Sequence, residues 1–316
     1  MATTTTAARP ARRSMLASRQ NRRSLAFGLL FCSPWLINLF GLHLIPVALS
    51  LYYSFTDYNV LQPPKWVGFD NFVGLFFQDD IFWQTVQNTV IYAIMSIPAG
   101  VIFALGLALL LNTKIRGLAM WRTIYFLPTV LPTVAVSIVW LWVFNPLYGP
   151  VNWLLDLMGL PGPGWFADEH WGKIGLVLLS LWSVGQIMVI YLAGLQDVPQ
   201  DLYDAAAVDG ASTWQKTISV TLPMMTPVIF FNLILALIGI FSYFDAPYVI
   251  TDGLGNPAHS MLFYAMYLYR NAFSLFHMGI ASAMAWLQFI VTLVVALVVF
   301  GTSGRWVFYG GGDSKK

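Results

Sequence analysis

The chain is short of almost everything a water-soluble domain uses. Charged side chains make up 9% of its 316 residues, and Glu169 is the only glutamate; soluble domains carry roughly 25% charged residues. Cys32 is the single cysteine, which excludes a disulfide within the chain and any cysteine-rich metal site. The four histidines (His43, His170, His259 and His277) are scattered, with no H-E-x-x-H and no metal-ligand spacing. No G-x-x-x-x-G-K-[ST] phosphate loop occurs, so nucleotide binding by that route is excluded. Gly310-Gly311-Gly312 lacks the strand–loop–helix context and reads as a flexible end. No positioned acid, base or metal cluster supports an enzyme, and a net charge of +2 is too weak to imply nucleic acid. No cofactor is expected.

What the chain has is apolar length. Hydrophobic residues reach 58% and aromatics 16%, with 13 Trp. A membrane-spanning helix needs about 20 apolar residues, so this length accommodates some half-dozen spans and no large soluble domain. Apolar runs lie near 25–52, 86–111, 122–144, 172–195, 226–244 and 280–301. The first run is too long for a signal-peptide core, and no small-residue cleavage site follows it closely. Pro34, Pro46, Pro98, Pro128 and Pro132 fall in or beside the runs, where neighbouring helices can re-satisfy freed backbone groups. His259–Met278 is aromatic and broken by Arg270-Asn271, and reads as an interfacial helix rather than a seventh span.

Residues 1–24 form a Thr/Ala/Arg tail without an acid, too polar to bury a core and expected to be disordered. With the N-terminus in the cytoplasm, six spans place 13 of the 16 Lys/Arg inside: six tail arginines, Lys114, Arg116, Arg122, Lys216, Arg305, Lys315 and Lys316. Lys65, Lys173 and Arg270 fall outside with nine of the 14 acids. Positive-inside bias therefore predicts an all-α polytopic membrane protein with both termini cytoplasmic: a tail at 1–24, a membrane domain at 25–305 and a C-terminal tail at 306–316.

One cytoplasmic connection is too rich in helix formers to be a linker. Within 196–223, Asp201–Val208 reads as a short helix entered after Pro199. Asp209-Gly210 is a stop signal, because glycine accepts the positive φ that ends a helix. Ser212 with Gln215 is a capping box opening a second helix, which Leu222-Pro223 is expected to close. Small side chains at Ala205, Ala206 and Ala207 would let the backbone sink into a partner's groove. Acids near the helix start suit its dipole and can meet a partner's basic groups. The same features also describe a plain surface helix with a solvated acidic face.

Asp204-Ala205-Ala206, three residues, Gly210, nine residues, Val220, one residue, Leu222-Pro223 resembles the EAA motif of bacterial binding-protein-dependent ABC importer permeases. Asp204 and Val220 depart mildly from the Glu and Ile of that pattern. Gly68-Phe69-Asp70-Asn71-Phe72, Arg122-Thr123 with Phe126-Leu127-Pro128, Phe144-Asn145-Pro146, Met278-Gly279 with Ala281-Ser282-Ala283, and Arg305-Trp306-Val307 are similar to its carbohydrate-uptake branch. There the chain looks most like relatives of the maltose and glycerol-3-phosphate permeases. The resemblance implies one half of a heterodimeric membrane domain with a second homologous permease. It also implies a cytoplasmic ABC ATPase dimer, an extracytoplasmic solute-binding protein, and a place in the bacterial inner membrane. The 196–223 loop would then be the coupling helix, with Asp204 supplying charge, Ala205 and Ala206 a close fit, Gly210 the turn, and Leu222 and Pro223 its end.

Polar groups inside spans tend to face a bundle interior or a water-filled path. Asn88, Gln186, Asn232, Ser242, Tyr243, Asp245 and Gln288 are candidate pathway residues, with Trp140, Trp182 and Trp286 as sugar-stacking faces. Amides also serve as glue between helices, and Trp as an interfacial belt; Asp245 also reads as an exposed end-of-span acid. No basic residue lies within the spans beyond Arg122 and Lys173 at their ends, which favours a neutral sugar over glycerol-3-phosphate. The rivals are a secondary sugar carrier, disfavoured by the lack of an evident repeat or mid-span acid, a membrane-embedded enzyme and a docking scaffold.

Overall fold

A computed structural model describes residues 19–113 and 116–308, with side chains from residue 23. Most of the basic tail, Lys114 and the last residues, including Gly310-Gly311-Gly312, Lys315 and Lys316, lie outside them. The chain divides into two units, Met1–Tyr53 and Ser54–Lys316.

The first unit is helical. Helix α1 (Arg19–Ile37) runs through a π-helical stretch, Asn38–Leu44, into α2 (Ile45–Ser54). The helix begins within the stretch expected to be disordered, because Arg and Gln are good helix formers and carry an adjoining apolar helix outward.

The second unit is built around α4. Ahead of it, β1 (Thr56–Asp57) pairs antiparallel with β2 (Lys65–Trp66), and α3 (Asp70–Phe77) follows. Helix α4 (Asp80–Leu111) is opened by Asp79, whose side chain accepts from the Phe82 N–H, satisfying one of the free amides of a helix start. Next come α5 (Leu118–Phe126), a 3₁₀ turn at Leu127–Val130, α6 (Thr133–Val143), α7 (Pro150–Leu157), α8 (Gly172–Trp182) and α9 (Gly185–Gln196). Then follow α10 (Gln200–Val208), α11 (Thr213–Lys216), a π-turn at Thr217–Thr221, α12 (Leu222–Ile240), α13 (Asp245–Thr251), α14 (Tyr264–Tyr269) and α15 (Met278–Ser303).

Among the described residues, four helical stretches are long and apolar enough to cross a bilayer: Arg23–Ser54, Asp80–Leu111, Thr213–Thr251 and Met278–Ser303. Two further pairs qualify when joined, Leu118–Val130 with Thr133–Val143, bent by 101°, and Gly172–Trp182 with Gly185–Gln196, bent by 50°. The run expected as one span at 122–144 is thus cornered. Pro132 has no N–H to continue a ladder and forces the preceding residue out of the helical region; Leu131 has ψ 140° and Pro132 ψ 131°.

Small residues set the packing of the inner half. Ala104 and Ala108 on α4 are fully buried, and α4 lies along α8 and α9. A Cβ added at Gly194 would come within 2.9 Å of Val228 on α12. One at Gly185 would collide with the Tyr125 carbonyl of α5. Without a hydrophobic drive between helices in lipid, such close approach is what holds them. The outward faces stay apolar, as with Phe289, Leu293 and Leu297 on α15.

The segment expected as an interfacial helix, 259–278, is instead buried core over residues 260–267, whereas Phe273, Leu275 and Phe276 stay exposed. Met261, Leu262 and Phe263 are sealed, Tyr264 and Met266 nearly so, and the Tyr264 hydroxyl donates to the Met284 carbonyl at 2.7 Å. Phe263 and Tyr264 pack on Tyr92 and Phe82 of α4, whose polar side chains supply partners for the irregular backbone.

The start of the expected C-terminal tail is also packed. Val307 is buried, the Trp306 ring lies 5.6 Å from that of Phe230, and the Phe308 N–H donates to Thr226 Oγ1 at 2.8 Å.

Candidate functional site

The hairpin between α9 and α12 forms as its sequence indicates. Pro199 precedes α10 with φ −59° and ψ 130°. At the other end, Ala211 N–H donates to the Ala206 carbonyl and Gly210 N–H to that of Ala207, at 2.9 and 3.1 Å. These are the two bonds of a Schellman ending, and Gly210 holds φ +78°, where glycine carries no Cβ penalty. Ser212 then caps α11 from both directions: its N–H donates to Gln215 Oε1 at 2.7 Å, and its Oγ accepts from Gln215 N.

One expected feature differs. Leu222-Pro223 does not end the second helix, since α11 passes through the π-turn directly into α12. Proline lacks an N–H, and its ring clashes with the carbonyl four residues back in a regular helix. A wider turn just ahead relieves both problems, and the same arrangement, Asn38–Leu44 ahead of Pro46, occurs in the first unit.

The hairpin is presented rather than buried. Asp204, Ala205 and Gly210 are exposed, Ala206 half-buried, Val208 89% exposed and Trp214 71%. Asp204 accepts from Gln200 Nε2 at 3.2 Å. A hydroxyl pair, Tyr203 Oη and Thr221 Oγ1 at 3.0 Å, ties α10 to the base of α12. Exposed Asp, Ala and Trp together suit a complementary protein surface.

Two cavities lie behind this hairpin, and Val184 lines both. The larger, about 540 Å³, is aromatic, with Trp140, Trp182, Tyr125 and Phe144 in its wall. Trp140 and Trp182 meet at 6.1 Å and 69°. The smaller, about 280 Å³, is lined by Asn232 and Tyr243 together with Tyr92, Ser96, Ser180 and Tyr191. Thus four of the sequence candidates converge on two neighbouring cavities. Gln186 and Asp245 are exposed. Trp286 packs edge-on against Phe289 at 5.5 Å, Gln288 lines a separate apolar groove, and Ser242 is exposed.

Asn88 is corrected to a structural role. Its Nδ2 donates to the carbonyls of His259 and Leu262, at 2.7 and 2.9 Å, while Gln84 reaches Ala258 O and Thr89 Oγ1 accepts from Tyr264 N. Three polar side chains on one stretch of α4 thereby pin the 258–264 backbone. Sequence reasoning passed over Ser96, Ser180 and Tyr191; their only signal was a hydroxyl inside an apolar run.

The other family-like motifs are joints. Asn71 Nδ2 donates to Ser54 O and Thr56 O, both at 2.9 Å. Asn145 Oδ1 accepts from Leu147 N and Tyr148 N. Gly279 lets the Thr56 carbonyl sit against the start of α15, where a Cβ would collide with it. Arg122 Nη2 donates to the Leu111 carbonyl at 3.1 Å, capping α4.

Several helical stretches long and apolar enough to cross a bilayer, with an exposed helical hairpin and internal cavities, mark a polytopic membrane protein. Comparison with known proteins is specific: residues 96–308 match the family of binding-protein-dependent transport system inner membrane components, and the chain belongs to that family. It is therefore an ABC transporter permease of the cell membrane. It is 39% identical over 298 residues to the probable ABC transporter permease protein YesP of Bacillus subtilis (strain 168), covering 94% of this chain and 96% of that one. It is 36% identical to the lactose transport system permease protein LacF of Rhizobium radiobacter, covering 86% and 91%. Among solved structures it matches a bacterial ABC transporter involved in the import of the acidic polysaccharide alginate. That match has a TM-score of 0.72 at 26% identity and covers 90% of this chain and 96% of that one.

Proposed function

We propose that this permease forms half of the translocation pathway of an ATP-driven, binding-protein-dependent importer of a neutral sugar. It pairs with a second homologous permease, receives substrate from an extracytoplasmic solute-binding protein, and docks on a cytoplasmic ABC ATPase dimer through the 196–223 hairpin. Counting each bent pair as one crossing yields six spans. The distribution of Lys and Arg then puts residues 1–24, the hairpin and the chain end from 306 in the cytoplasm.

The observation that carries this reading is the exposed, doubly capped hairpin bearing Asp204, Ala205, Ala206 and Gly210. The chain has no phosphate loop of its own, so a partner must supply the energy. Movement of the docked hairpin drives alternating access, which requires contacts that differ between the two states; Trp214 and Val208 enlarge the surface able to make them. The sugar class is supported by the lining of the two cavities, which contains aromatic rings, hydroxyls and one amide but no Lys or Arg. The lactose permease relative agrees with this, whereas the alginate importer handles an acidic polymer. Trp140, Trp182, Asn232 and Tyr243 are the pathway residues this reading favours; Gln186, Asp245 and Trp286 are secondary.

The test is reconstitution of all the subunits in proteoliposomes. Gly210→Pro and Asp204→Lys are expected to lower both sugar uptake and binding-protein-stimulated ATP hydrolysis at least tenfold while the permease still inserts. Normal uptake by both variants refutes the assignment.

A further inference from the structure

The residues after Arg305 pack from the end of α15 onto the first turns of α12, and they meet α12 where that helix is weakest. Two prolines bracket the spot. Pro223 has no N–H for the carbonyl four residues before it, and Pro227 has none for the carbonyl of Pro223. The Thr226 hydroxyl makes good the second loss by donating to the Pro223 carbonyl at 2.6 Å. The same oxygen accepts the Phe308 N–H at 2.8 Å. One side chain thus answers a carbonyl that proline leaves open and an amide beyond the end of α15. Thr226, Phe230 and Ile234 follow at four-residue spacing and share a face of α12. Val307 is buried with Phe230 and Ile234, and the Phe230 ring meets those of Phe300 at 5.3 Å and Trp306 at 5.6 Å, both edge-on. Just ahead of Pro223 lies the π-turn at Thr217–Thr221 that joins α12 to the hairpin.

We propose that Thr226, Trp306, Val307 and Phe308 form a clasp that makes the adjoining ends of α12 and α15 one body, so that a displacement of the hairpin reaches both helices. The inference rests on the transporter reading and deepens it: the four are positioning residues that act through the helices and touch no substrate. A rod with a π-turn and two missing backbone bonds in succession bends there first, because kinks form where the ladder is interrupted. Unsupported, that joint would yield under a load applied at Asp204 and leave the span behind. The clasp stiffens it from the side and adds α15 to the part that moves. Packed side chains and hydrogen bonds that tie rigid helices together are the means by which such coupling travels.

Two arms on the assembled transporter test it. Thr226→Val keeps the branched shape and removes the hydroxyl. Sugar delivered per ATP hydrolysed is expected to fall about fivefold, in keeping with a lost hydrogen bond, while the KM for the sugar stays unchanged. Thr226→Ser, which restores the hydroxyl, is expected to match the wild type. Trp306→Ala leaves the hydroxyl in place and is expected to lower the same ratio severalfold. In the second arm, spin labels at Phe231→Cys and Val298→Cys, both exposed positions, are read by electron spin resonance in a Cys32→Ser background. Their separation is expected to hold between nucleotide-free and ATP-bound states, and to differ between them once Thr226→Val is added. An unchanged yield per ATP in Thr226→Val or Trp306→Ala, a serine variant as impaired as the valine one, or a label separation that follows nucleotide with the clasp intact overturns the proposal. A wild-type complex that hydrolyses ATP but imports no sugar refutes the transporter reading instead, and the spin-label arm still decides on the clasp.

Discussion

The 254–279 segment and the 196–223 hairpin are both irregular connections between long helices, yet they are held in opposite ways. The first is sunk among aromatics, and its backbone is tied to α4 by Gln84, Asn88 and Thr89. Tyr267 adds a bond to Asp79 at 2.6 Å, the same aspartate that caps α4. The hairpin is anchored by hydrogen bonds of its own turn and caps plus the Tyr203–Thr221 pair, and it exposes Asp204, Val208 and Trp214. One segment spends its polar groups inside the protein; the other leaves them exposed. Irregular backbone in apolar surroundings is tolerated only where protein satisfies it, and the clamps from α4 do this for 258–264.

Four substitutions probe that contrast, in decreasing order of expected effect. Gly279→Val drives a branched side chain into the Thr56 carbonyl and should cost about 3 kcal/mol or more, beyond the usual 1–3 kcal/mol of overpacking, with loss of monodisperse protein on detergent gel filtration. Asn88→Ala strands the buried Leu262 carbonyl and leaves that of His259 with the Leu262 N–H alone, at about 1–3 kcal/mol, and should lower the thermal midpoint while leaving the KM of the surviving protein unchanged. A midpoint equal to wild type would remove the clamp. Ser212→Ala loses one cap of the hairpin, about 1 kcal/mol of local helix stability. It should quicken hydrogen exchange at Gln215 without shifting global unfolding. Trp214→Ala should leave stability within about 0.5 kcal/mol, as surface changes usually do, while weakening association with the ATPase. If Trp214→Ala unfolds the protein, the hairpin is core and the contrast fails.

A smaller effect concerns the loop at Asp168. The backbone N–H of His170, at 2.7 Å, holds the Asp168 carboxyl below its ordinary value. A depressed carboxylate stabilises its turn above the ordinary carboxylate range, and that support is lost as pH falls through the lowered value. The protection factor of the His170 amide, its exchange rate relative to that of an unstructured amide at the same pH, should therefore fall on strong acidification and hold steady between pH 6 and 8.

The hairpin was legible almost residue by residue, because Pro199, Gly210 and Ser212 act locally: each sets its own φ or satisfies a neighbouring amide. The apolar runs were legible for the same reason, since length and hydropathy need no tertiary partner. What escaped was decided at a distance. Whether Asn88 faces a cavity or the His259 carbonyl depends on where a chain 171 residues away comes to rest. The 259–278 aromatics look the same against lipid as against α4. Pro132 was visible, but not that the chain would turn by 101° there rather than kink.

The π-turn at Thr217–Thr221 has a consequence for the phase between hairpin and span. It adds a residue to one turn of an otherwise continuous rod, so hairpin and span are out of phase by about 100° at 3.6 residues per turn. Deleting one residue inside it would restore the regular winding and swing the Asp204 face a quarter-turn or so about the axis of α12. Uptake should then stop in a protein whose every side chain on the hairpin is intact.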